Sequence, residues 1–220
     1  RDVAPSRGLG DVYKRQYDIT KNPLYLEKLH QYLTVTDSIM YDREVGLYYR
    51  DAKYPYPFHK TINGKKDFWS RGDGWAFAAF AKVLKQLPAE DKYREEYITR
   101  FQTMAKSIAA CQQPEGYWTR SLIDPEQAPG PETSGTALFT YGFLWGINNG
   151  LLNADIYSPI VEKAWNYLKT TALQADGKIG YIQPVGEKAI PGQVVDANSC
   201  FNFGIGAFLL AACERVRFLQ

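Results

Sequence analysis

Two tryptophans bracket an arginine in the run Phe68-Trp69-Ser70-Arg71-Gly72-Asp73-Gly74-Trp75. An indole offers a flat face to a pyranose ring, and a guanidinium fork holds a carboxylate through two parallel hydrogen bonds, so Trp69, Arg71 and Trp75 together suit a sugar acid. Two other clusters are also polar and small: Pro131-Glu132-Thr133-Ser134-Gly135 and Asp196-Ala197-Asn198-Ser199. Each stands just before an apolar stretch, where a helix N-terminus turns free N–H groups and the positive end of its dipole toward an anion. For Asp73, Ser134 and Ser199 taken singly, capping is the simpler expectation, with Gly72 and Gly74 permitting tight turns. Glu132 stands between catalysis or binding and the ordinary preference of a first helical turn for an acid. Capping does not account for two tryptophans around an arginine.

Other chemistries find no residues to carry them. His30 and His59 are isolated and make no metal set. No G-x-S-x-G elbow, phosphate loop or dinucleotide fingerprint is present, so neither a metal nor another cofactor is expected. The net charge of +2 gives no reason to expect nucleic acid or an anionic membrane as partner. The longest apolar run, near Phe203 to Cys213, is too short to span a bilayer. Cys111, Cys200 and Cys213 are an odd number without ligand spacing and are expected to be buried structural thiols. The 16 Tyr and 5 Trp form an aromatic surplus that suits a sugar cleft.

The elements that must position these clusters are helices. Leu26, Leu29, Leu33 and Met40 mark a first amphipathic stretch, with Asn22 as its cap before Pro23. Trp75, Ala79, Phe80, Val83, Leu84 and Leu87 mark a second, stopped by Pro88, and the series Tyr93 to Cys111 marks a third. A fourth runs from Thr136 to Asn149 and ends at Gly150. A fifth is led by Ser158 and Pro159, and a sixth covers about Ser199 to Leu219. No stretch alternates with period two for long enough to make a sheet. The helices that begin near Gly74, Gly135 and Ser199 carry few charges and read as buried on all sides; the alternate ones have a charged face. Gly204 and Gly206, in the last of them, are expected to allow close helix packing.

A glycine and an aromatic follow each charged helix, at Gly46, Gly116 and Gly180, spaced by 70 and 64 residues. That period is one helical hairpin. Long aromatic-lined loops ahead of each buried helix favour a closed all-α toroid over an open solenoid. If its inner helices run parallel, all three polar clusters face one mouth. Residues 1–16 show no apolar period, carry both signs of charge and read as a foreign linker in preference to an ordinary disordered N-terminal tail, leaving 17–220 as a partial toroid domain.

The segment FWSRGDGWAFAAFAKVLKQLP, Phe68 to Pro88, resembles the signature of the unsaturated rhamnogalacturonyl hydrolases of glycoside hydrolase family 105, relatives of the unsaturated glucuronyl hydrolases of family 88. PETSGTALFTYGFLWGINNGLL, YDREVGLYYRD and EGYWTRSLIDPE fit the same pattern. The resemblance implies a six-hairpin (α/α)6 toroid, of which roughly the C-terminal half is present. It implies release of a 4,5-unsaturated galacturonyl residue from the non-reducing end of pectin-derived oligosaccharides, in a bacterial cytoplasm or periplasm that the residues do not distinguish. Trp69, Arg71 and Trp75 then line the uronate site; Arg50, Glu132 and Ser134 are further candidates for substrate binding. The chemistry implied is protonation of the C4=C5 bond by an aspartate that also activates the adding water, after which a hemiketal opens. That aspartate is expected upstream of this chain, so the fragment itself is expected to be inactive and to expose apolar flanks. Two departures stand out. Asp73 occupies a position where the family often has Asn, and Arg50 one where many members have His. The competing functions are unsaturated glucuronyl hydrolysis, sugar epimerisation on the same fold, and sugar binding without catalysis.

Overall fold

The computed structural model describes residue 13 and residues 15–186 and 188–220. The linker expectation for residues 1–16 therefore falls largely outside the described residues; of that stretch, Tyr13 packs against the rings of Tyr25 and Tyr32 at 6.2 and 5.5 Å.

Six long helices follow in order: α1 Leu24–Met40, α2 Ser70–Gln86, α3 Arg94–Ala110, α4 Thr133–Asn148, α5 Ala154–Tyr167 and α6 Asn202–Phe218. All six were legible from the apolar spacing. Asn22 meets its expectation, its side-chain oxygen accepting from the Leu24 N–H at 3.0 Å. The fifth helix starts earlier than Ser158-Pro159 suggested. Asn153 accepts from the Asp155 N–H at 2.8 Å and opens the helix at Ala154, which places Pro159 inside it. A short antiparallel ribbon, β1 Tyr41–Asp42 with β2 Leu47–Tyr48, lies between α1 and α2. Two residues a side is below the length at which alternation shows in a sequence.

The helices form two layers. α4 packs between α2 and α6, while α3 backs α2 and α5 backs α4. Every residue of α4 from Thr133 to Gly146 is buried, as expected. α2 and α6 depart from that expectation. In α6 only Gly204, Ala207, Ala211 and Glu214 are buried, and Leu209 and Val216 are 57% and 58% exposed. The reason is position in the row: among the described residues α4 has a neighbour on both sides, and α2 and α6 have one on one side only. Gly204 allows close packing, since a Cβ there would lie 2.3 Å from Ile182, whereas Gly206 has open space around it. The cysteines are free thiols, as expected, but are less buried than expected: Cys111 and Cys200 are half-buried and Cys213 is exposed. Burial pushes the Cys111 thiol up to about 12, helped by the charge of Asp73.

Aromatic side chains cement the layers. Phe77 of α2 stacks on Phe101 of α3 at 4.6 Å and meets Phe143 of α4 edge-on at 5.3 Å, and Phe101 meets Trp145 at 5.6 Å. Such pairs contribute about 0.5–1.5 kcal/mol each beyond their buried area. The repeat glycines have one task in two successive units. Gly46 (φ +78°) lies against Thr103 and Ser107 of α3, and Gly116 (φ +97°) against the Lys163 main chain of α5, where a Cβ would come within 2.2 Å of a carbonyl oxygen. Each strand of loop leaving an outer helix thus slides beneath the next outer helix.

Gly142 sets the separation of α2 and α4, because a Cβ there would lie 2.3 Å from the fully buried Phe77 ring. Gly142→Ala is expected to lower unfolding free energy by about 1–3 kcal/mol through overpacking, despite the better helix propensity of alanine. A denaturation midpoint equal to or above that of the unsubstituted chain would show that the two helices can part at no cost.

Candidate functional site

Three loops precede the inner helices: 49–69 before α2, 111–132 before α4 and 173–201 before α6. They are tied to one another at a single mouth. The first two run alongside each other, Ser70 N–H donating to Arg120 C=O at 2.9 Å and Leu122 N–H to Phe68 C=O at 3.0 Å. The second meets the third where Thr133 N–H donates to Tyr181 C=O at 2.8 Å. Within the third, Tyr181 and Ile182 N–H groups donate to the Asp196 and Ser199 carbonyls. All three polar clusters read from the sequence therefore converge, and they do so through main-chain bonds.

Glu132 sits at the centre. It is fully buried, and its carboxylate accepts from the N–H groups of Ser134 (3.2 Å) and Gly135 (2.6 Å), from the Ser134 hydroxyl (2.7 Å) and from the Gln183 N–H (3.1 Å). Glu132, and not Ser134, caps α4; the serine hydroxyl is spent on the carboxylate. A carboxylate so enclosed is a structural anion, since its lone pairs are already occupied by donors that no water can reach. Asp73 is equally buried, and one of its oxygens accepts from the Tyr48 N–H at 2.8 Å, joining α2 to the ribbon. It caps no helix. Ser199 closes a turn with Asp196 three residues ahead of α6.

Arg71 is 3% exposed and lies between two rings, 4.8 Å from Trp69 and 4.6 Å from Phe203. Its fork donates to the carbonyls of Gln183 (2.6 Å) and Pro184 (2.7 Å). The two-pronged grip expected for a substrate carboxylate is here closed on the protein's own main chain, because a buried guanidinium must be hydrogen-bonded to stay charged. Burial pulls its pKa down and the charge of Glu132 opposes that pull. Arg120, which sequence reading passed over, does the same work on the second loop, reaching Gln193 C=O at 2.7 Å and Pro129 C=O at 2.8 Å. Gln183 was also missed. It follows Gly180-Tyr181 in an irregular segment, where no periodicity marks a buried position.

Three of the expected residues do open onto a common space. A cavity of about 330 Å³ runs along α2, with Arg50, Trp69, Gly72 and Trp75 at the mouth end and apolar residues such as Leu29 and Val83 at the other. Arg50 is half-buried and ion-paired with Asp51. Among the described residues no carboxylate lines this cavity, and no group of His, Cys, Asp and Glu could hold a metal ion. No described helix is long and apolar enough to cross a membrane.

A separate clamp steadies the first loop. Asp124, fully buried, accepts from Asn63 Nδ2 at 3.0 Å and Lys65 Nζ at 3.1 Å. Beside it Gln127 Oε1 accepts from the Ile62 N–H at 2.9 Å, and Asp67 pairs with His59 Nε2 at 2.7 Å.

The family model described as Glycosyl Hydrolase Family 88 matches residues 10–219. A curated relative from Formosa agariphila, named unsaturated 3S-rhamnoglycuronyl hydrolase, is 38% identical over 199 residues, which is 89% of this chain and 52% of that protein. A solved structure described as a glycosyl hydrolase family 88 protein from Bacteroides vulgatus is 96% identical, with a TM-score of 0.92, over 96% of this chain and 60% of that one. A possible family 105 member from Klebsiella pneumoniae shares the fold at 21% identity, with a TM-score of 0.79 over 98% of this chain and 56% of that one. The fold is the α/α toroid expected from the sequence, and the chain spans about half the length of the curated relative it matches.

Two outcomes test the electrostatics of this mouth. Glu132→Ala leaves the Ser134, Gly135 and Gln183 N–H groups buried without an acceptor and is expected to cost about 3–5 kcal/mol in chemical denaturation; Glu132→Gln, which keeps one acceptor oxygen, is expected to cost less than half of that. Burial raises the Asp124 pKa, but hydrogen bonds from Thr61, Asn63 and Lys65 outweigh it and hold the carboxyl below its ordinary value. A depressed carboxylate stabilises the fold above the unfolded pKa of about 3.9 and loses that contribution as pH falls through the folded value. The stability difference between the unsubstituted chain and Asp124→Asn should therefore be constant above about pH 5 and narrow below about pH 4. A difference independent of pH would remove the ionic character of the clamp.

Proposed function

Because the chain belongs to Glycosyl Hydrolase Family 88, we propose that it forms the uronate-binding side of a hydrolase acting on unsaturated uronyl oligosaccharides. The observation that carries this reading is the mouth of the cavity, where Trp75 and the largely buried Trp69 lie beside the cation of Arg50. A planar, anionic ring with an unsaturated bond meets both needs at once: stacking on indole and a charge-assisted hydrogen bond to guanidinium. Arg71 supports Trp69 from below and keeps its own charge within the mouth.

A double bond between C4 and C5 makes both carbons trigonal, so a galacturonyl and a glucuronyl residue become the same ring once unsaturated. A site that holds only this ring cannot tell one origin from the other. Selection must come from the linkage and the sugar that leaves. The substrate proposed here is an unsaturated uronyl residue on rhamnose. The sequence resemblance to rhamnogalacturonyl hydrolases points to that unit, and so does the name of the Formosa agariphila relative. Pectin-derived rhamnogalacturonan is the proposed source.

The reaction needs a group that gives a proton to C4 and helps water to C5. Glu132 and Asp73 are not assigned to it: both are fully buried, and neither lines the cavity. Binding without turnover is thus the expected behaviour of this chain by itself. Calorimetric titration with an unsaturated galacturonyl-rhamnose disaccharide should show uptake, while the ultraviolet absorbance of its conjugated double bond stays constant. Loss of that absorbance would mean that a described carboxylate reaches C4 after all. Trp75→Ala and Arg50→Ala are each expected to weaken uptake roughly tenfold, about 1.4 kcal/mol, with the melting temperature kept. Unchanged affinity in both variants would move the sugar elsewhere.

A further inference from the structure

We propose that Gln183 is a positioning residue of the sugar site and acts through Trp69. The proposal rests on the uronate-binding reading above. Trp69 immediately precedes α2 in extended backbone, with φ −87° and ψ 117°, and is only 4% exposed, so its indole N–H needs an acceptor inside the protein. Its indole N–H donates to Gln183 Oε1 at 2.8 Å. The other end of the same amide donates to Lys188 C=O and to Gln193 Oε1, both at 2.9 Å. Only one orientation of the amide satisfies these partners. An indole can only donate and a carbonyl can only accept, so Oε1 must face Trp69 and Nε2 must face the third loop. The Gln183 side chain is fully buried, which leaves no water to substitute for a lost partner.

The main chain of Gln183 reinforces the arrangement. Its N–H donates to Glu132 at 3.1 Å, and its carbonyl accepts from Arg71 at 2.6 Å. Arg71 in turn lies 4.8 Å over the Trp69 ring, and that ring borders the cavity. One residue of the third loop thus sets the plane of an aromatic platform that belongs to the first loop. Without the amide the buried indole N–H loses this acceptor, and the ring is expected to shift from the orientation that a sugar would use.

The test separates the side chain from the main chain. Gln183→Met keeps the length and the main-chain bonds and removes the amide; Gln183→Asn keeps an amide but withdraws it by one methylene, and serves if the first variant fails to fold. The Trp69 indole N–H resonance, assigned with Trp69→Phe, is followed together with Kd for the unsaturated uronyl-rhamnose disaccharide. The indole proton is expected to move upfield, and affinity to fall roughly fivefold to tenfold. In the Trp69→Phe background the same Gln183 change is expected to cost less than about twofold, since the group it positions is gone. A merely structural role would weaken binding by the same factor in both backgrounds. An unmoved indole resonance or multiplying losses overturns the positioning role. If the unsubstituted chain takes up no disaccharide, the uronate reading falls, and the indole resonance alone decides whether Gln183 holds Trp69.

Discussion

The first turn of α4 begins in a place that water does not reach, and its N–H groups need an acceptor that the helix itself cannot provide. Glu132 meets that need with a carboxylate that also takes the Gln183 N–H from the loop before α6. The rest of the mouth follows from this one enclosed charge. Gln183, held there, presents its carbonyl to Arg71 and its side chain to Trp69. An uncompensated carboxylate in this position would be costly, so the three loops stay joined as a set.

The helical scaffold makes the convergence possible by repetition. Each hairpin sends one helix inward and one outward, and each returns its chain toward the same end. Glycines at 46 and 116 let successive loops pass under the following outer helix at distances that no Cβ would allow. Because α4 has neighbours on both flanks, its cap lies in the deepest part of the row; α2, among the described residues, has one inner neighbour, and the cavity runs along its other flank beside α1.

The mouth is divided between residues that touch the cavity and residues that hold them. Trp69, Trp75 and Arg50 border the space where a sugar would lie. Arg71, Arg120 and Glu132 use their charges on main-chain groups, which makes the walls of the mouth rigid at the expense of direct contact. A surface so built would lose little ordering entropy on taking up the small, stiff ring proposed for it.

Much of this was legible in the residues themselves. The 3.6-residue spacing located all six helices, the glycine–aromatic period disclosed the hairpin unit, and the Trp-Arg-Trp run marked the mouth, because these signals depend only on local geometry and side-chain type. The sequence could not say which charged groups line the cavity and which turn to the protein's own main chain. Arg50 and Arg71 are the same residue type in similar polar surroundings, yet one borders the cavity and the other is 3% exposed beneath an indole. Gln183 and Arg120 lie in irregular loops, where burial follows no period, and their partners are up to 114 residues away. Such assignments are made by long-range packing, and only the tertiary structure decides them.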